Sequence, residues 1–156
     1  FLEDLIMTGA RKRLYISLFA AGLLGCTYTP DPAGYQGDCA ADDPRVGYVA
    51  ELTNRFIHGV SGTARIVDNC TIVIENFYYD GLAADPRWVG VVGDWEKVTV
   101  LSPTQLRPGG YVNETLTIKL PEGVTLDDVP MISLCCMPGL DFLGVGTLAD
   151  GVFHAP

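Results

Sequence analysis

Histidine is nearly absent from this chain: two residues, His58 and His154, among 156. So few histidines leave no H-E-x-x-H zinc motif and no C-x-x-C-H haem attachment. Paired C-x-x-C motifs are missing as well, so no metal ligand set is expected. Asp80, Asp85 and Asp94 are read as turn residues before a calcium site is invoked. The serine-hydrolase elbow G-x-S-x-G is also lacking; in Gly59-Val-Ser-Gly62 the serine sits directly against the second glycine. Bases are scarce, with 10 Lys and Arg against 19 Asp and Glu and a formal net charge of −9. Such a body is repelled by phosphate backbones and carries no basic stripe with interleaved aromatics, which excludes nucleic acid as a partner. No window holds a helical period for three turns, and no internal repeat is visible.

What is present begins with an address. Arg11-Lys12-Arg13 precede an uncharged apolar run from Leu14 to Gly25. A bilayer span needs about 20 apolar residues, whereas the core of a secretory signal needs about 7–15, and the run fits the second. It ends in Leu23-Leu24-Gly25-Cys26, similar to a bacterial lipobox, whose cysteine is diacylated and becomes the new N-terminus. The expectation is a signal segment over residues 1–25 with Met7 as a natural initiator, then export and attachment to a membrane through lipid on Cys26. Ordinary cleavage near Ala20-Ala21-Gly22 is the alternative. Residues 26–45, rich in Pro, Gly, Asp and Ala, read as a tether to a single folded domain over residues 46–156.

In that domain apolar and polar residues alternate in short runs broken by turn residues, the mark of half-buried strands. Thr115–Leu120 is the clearest, with Leu116, Ile118 and Leu120 on one side. Similar runs occur at Gly47–Leu52, Thr63–Asp68, Cys70–Phe77, Trp88–Val92, Lys97–Leu101, Met131–Met137 and near Gly144–Phe153. About eight strands at this spacing predict an all-β fold, an antiparallel sandwich or barrel.

The chain has five cysteines. In an exported protein they raise disulfides first. Parity along the strands places Cys136 with Ile132 and Leu134, Cys135 with Met131 and Ser133, and Cys70 with Ile72 and Ile74. Cys70 and Cys136 therefore both face the core, and a Cys70–Cys136 disulfide is expected. The adjacent Cys135 and Cys136 point apart and cannot bond without distortion. Cys39 and Cys135 are left to pair with each other or to stay reduced.

His58-Gly-Val-Ser-Gly-Thr-Ala-Arg-Ile-Val-Asp-Asn-Cys-Thr-Ile-Val-Ile-Glu-Asn-Phe-Tyr-Tyr-Asp-Gly81 resembles the DM-thirteen domain. The resemblance continues through Ala84-Asp85, Trp88, Tyr111–Pro121, Thr125–Asp128 and Ile132–Cys136. That family is an extracellular module called an electron-transfer domain, often found beside DOMON domains. The resemblance implies that Cys136 is the redox residue, as a bare thiol or by holding a prosthetic group such as haem. Cys135 stands where the family usually has Trp. His58, with Cys136, Met131 or Met137, is the haem-ligand candidate, its other reading being a turn-adjacent residue hydrogen-bonded to backbone, and a redox partner protein is implied. The other reading is a non-catalytic structural or binding domain, stabilised by Cys70–Cys136.

Overall fold

A computed structural model of the chain describes residues 39–55 and 57–149. Among these lie nine strands: β1 (Val49–Glu51), β2 (Thr53–Asn54), β3 (Val60–Asp68), β4 (Thr71–Tyr79), β5 (Pro86–Val92), β6 (Lys97–Val100), β7 (Tyr111–Lys119), β8 (Met131–Cys136) and β9 (Asp141–Thr147). One 3-10 turn, Leu126–Asp128, precedes β8. The strands form two antiparallel sheets, ordered β1-β3-β4-β7 and β2-β9-β8-β5-β6. β1 and β2 are adjacent in sequence yet belong to different sheets. The chain crosses between them at Leu52, which is buried while its N–H donates to the carbonyl of Gly62.

One core joins the two inner faces. Ile66, Ile72, Ile74 and Phe77 come from the first sheet; Trp88, Ile132 and Leu134 come from the second. Each such side chain contributes about 1.5–3 kcal/mol through burial, and together they make the domain a sandwich. The all-β expectation holds, with nine strands where about eight were read. The last strand is Asp141–Thr147 rather than a segment centred after Gly144.

Strict alternation fails at two asparagines. Ile74 and Phe77 are three residues apart, so a regular strand would turn Phe77 outward. Asn76 adopts a left-handed φ of 50° and the pairing shifts between Ile74 and Phe77, returning Phe77 and Tyr79 to the core. On the facing strand Asn113, with φ 53°, does the same for Tyr111. Asparagine tolerates this conformation better than most side chains, so each bulge is written into the sequence.

The outer face of the second sheet carries a smaller cluster. Val89, Val91 and Cys135 are buried beneath Trp95, Val98, Met131, Met137 and Phe142. The Trp95 ring lies 4.1 Å from that of Phe142, and the Arg55 guanidinium stands 4.9 Å from the Trp95 ring centre. β5 is therefore covered on both sides, which accounts for its nearly unbroken apolar run. No helix among the described residues is long and apolar enough to cross a membrane.

Candidate functional site

β8 ends at Cys136, and the strand's two-residue period gives the two adjacent thiols opposite surroundings. Cys135 turns to the outer cluster and is completely buried. Burial pushes its pKa up to about 11, with Cys136 and Asp141 acting in the same direction. Cys136 turns toward the rim of the main core and is half-buried. Its thiol donates to the carbonyl of Ala84 at 2.8 Å.

The loop from Asp80 to Asp85 lies over this thiol and is held at several points. The Ala83 N–H donates to the Tyr79 hydroxyl at 2.9 Å. Asp80 accepts the N–H groups of Gly59 and Leu82 at 2.9 and 3.0 Å. Gly81 has φ +77° and faces Gly110, whose nitrogen would stand 2.3 Å from any Cβ placed on Gly81. Only glycine permits that approach. Burial raises the pKa of the Tyr79 phenol, and the nearby Asp80 and Cys136 raise it further.

His58 is at this same end. Its Nδ1 is 3.5 Å from the Asp80 carboxylate, and the side chain is mostly buried. The structure thus gathers His58, Asp80, Tyr79 and Cys136 around one loop. Phe77 lies 5.2 Å from both Trp88 and Tyr111, ring centre to ring centre, and 6.4 Å from Tyr79. These rings belong to the core against which Cys136 packs. Met131 and Met137 belong to the outer cluster, away from His58.

The expected Cys70–Cys136 disulfide is not formed. Cys70 is bonded to Cys39, with their Cα atoms 5.8 Å apart, and Cys135 and Cys136 are free thiols. Both Cys70 and Cys136 do point inward, as parity required. Parity fixes the face of a strand but not the position along it. Cys70 precedes the first residue of β4, while Cys136 lies near Tyr79 at its last, about 30 Å away at the usual rise per residue.

The same bond corrects the extent of the tether. Cys39 to Arg45 is part of the folded body. The Asn69 N–H donates to the Ala40 carbonyl at 2.8 Å, and the Asn69 side chain bonds Asp42 and Asp43. Arg45 bridges Asp43 and Asp127 at 2.7 and 2.8 Å. Its hydrogen bonds hold the Asp43 carboxyl down to about 2. The signal segment, Cys26 and His154 lie outside the described residues.

Sequence reasoning missed the partner of Cys70. The usable signal was Cys39 itself: a cysteine in a polar stretch of an exported chain needs a partner, and the turn-forming Asp-Asp-Pro-Arg after it directs the chain back to the body.

Two packed antiparallel sheets with a rim thiol closing one strand define a β-sandwich domain with a single accessible-thiol site among the described residues. The family model for electron transfer DM13 matches residues 51–145, and the chain belongs to that family. Protein Skeletor of Drosophila melanogaster is similar in two forms. Isoforms B/C are 37% identical over 109 residues, covering 64% of this chain and 13% of that protein. Isoforms D/E match at the same identity and cover 7% of their length. The chain thus spans only a small part of these curated relatives. No solved structure matches it.

Proposed function

We propose that this domain acts outside the cytoplasm as a redox or electron-transfer accessory module, with Cys136 as its redox residue and a partner protein as its electron source or sink. The observation that carries the reading is the contrast between neighbouring thiols. Cys135 is sealed beneath the outer cluster, whereas Cys136 stands half-buried at the rim under a short loop. Access is one of the two requirements for a reactive sulfur, and Cys136 meets it. The family's description as an electron-transfer domain points the same way. Alkylation of the native protein with iodoacetamide, followed by peptide mapping, tests this. Cys136 should be labelled well before Cys135; equal protection of both would remove the reading. Absorbance of the purified protein separates the two versions of this reading: a Soret band would show a haem, whereas a bare thiol gives none.

The Cys39–Cys70 disulfide supports export, since such bonds persist in oxidising compartments. Anchoring follows from the lipobox-like Leu23–Cys26: two or more acyl chains on Cys26 give stable membrane attachment. Labelled palmitate fed to a bacterial host should tag the protein, and Cys26→Ser should abolish the label. The same disulfide also favours a second reading, a non-catalytic structural or binding domain. That reading gains if Cys136 proves accessible yet inert to oxidants.

A further inference from the structure

The end of the molecule opposite Cys136 carries a second cluster of sulfur chemistry. We propose that Cys39, Cys70 and Asp68 form a metal site when their disulfide is reduced, taking a zinc-type divalent cation. This inference stands apart from the role of Cys136.

Three observations carry it. The two cysteine sulfurs and a carboxylate oxygen of Asp68 all lie within 4.8 Å of one another. Tetrahedral zinc with thiolate ligands at about 2.3 Å holds its donor atoms about 3.8 Å apart, so the three need only small side-chain rotations once the S–S bond opens. The Cα separation of 5.8 Å can stay as it is. Asp68 is already oriented, because its Oδ1 accepts the Cys70 N–H at 2.9 Å. Finally, both cysteines line a surface cavity of about 330 Å³ with Asp43, Arg45, Asn69 and Asp127, through which an ion and a water as fourth ligand can enter. Lys119 is a competing charge, with its Nζ 4.0 Å from Asp68 Oδ2 and also bonded to Thr71. Arg45 also lines the cavity, where it is paired with two carboxylates, Asp43 and Asp127.

The chemistry balances with a dithiol reductant. Two electrons and two protons from the reductant convert the S–S bond into two thiols, and the reductant leaves as its own disulfide. The cation then displaces both thiol protons, and binding strengthens as pH rises. In either state a cross-link pins residues 39–45 to the β3–β4 turn: a disulfide in oxidising surroundings, a metal bridge in reducing ones. Motif spacing does not reveal the site, because its cysteines are 31 residues apart.

Cobalt(II) titration of the full chain tests this under two conditions. Protein reduced with a phosphine should bind one ion and develop a thiolate-to-cobalt charge-transfer band, displaced by zinc. Oxidised protein keeps Cys135 and Cys136 as thiols and should give no band. Asp68→Asn should weaken the reduced site about tenfold or more. Should reduction alone erase the sheet circular dichroism, added zinc should restore it. A reduced, folded protein without the band, the same band in oxidised protein, an unaffected Asp68→Asn variant, or zinc that fails to restore the sheet would each overturn the proposal.

Discussion

Cys135 and Cys136 differ by one step along β8, and that step decides which sulfur meets solvent. The difference has a pH signature. The Cys135 thiol titrates near 9 in the unfolded chain and near 11 in the native state, so the native state holds its proton more tightly. Its contribution is whole below about pH 9 and is lost as pH rises through about 11, with a ceiling of about 2–3 kcal/mol. Tyr79, also raised, adds a decline of the same sign. Urea denaturation at pH 8 and pH 10.5 should show stability falling between them, and Cys135→Ala should shrink the fall. An unchanged fall in that variant assigns it elsewhere. Tyr79 further holds the loop over Cys136 through the Ala83 N–H. Tyr79→Phe should cost about 1 kcal/mol and speed alkylation of Cys136.

At the scale of elements, the loops that frame the thiol depend on a backbone approach without side chains. A Cβ on Gly81 would meet the nitrogen of Gly110, whereas one on Gly109 meets nothing within 4 Å. Both glycines have positive φ. Gly81→Ala should therefore cost about 2 kcal/mol or more, and Gly109→Ala about 1, by thermal or chemical denaturation. The Cys39–Cys70 link closes a loop across 31 residues and stabilises by about 3–4 kcal/mol in the chain-entropy model. Cys70→Ser should lose that much, and Cys136→Ser much less; the reverse order would restore the pairing expected from parity. The strands were legible because their alternation is physical: residues that share a face share a parity. That rule reached Phe77 as a strand residue but could not foresee that Asn76 and Asn113 would reset parity within β4 and β7. Nor could it register Cys70 against Cys136, because position along a sandwich is set by which strands pair, and that is decided between elements.

For the whole molecule, the sandwich separates two sulfur centres. One end holds a disulfide beside a cavity, and the other holds a rim thiol under a loop. The thiol at the end of β8 was legible from family residues, while its surroundings were not: Tyr79 at the end of β4 lies near it, and Tyr79 and Asp80 hold the loop whose Ala84 carbonyl accepts its proton. Under the proposed function, Cys136 is the sulfur that exchanges electrons. Native protein should be treated with one equivalent of hydrogen peroxide in the presence of dimedone and mapped by mass spectrometry. A thiolate that attacks the peroxide becomes a sulfenic acid and is trapped. The expected product is the dimedone adduct on Cys136, with Cys135 unmodified and the Cys39–Cys70 peptide still linked. An adduct on Cys135 in place of Cys136, or none on either, would contradict it.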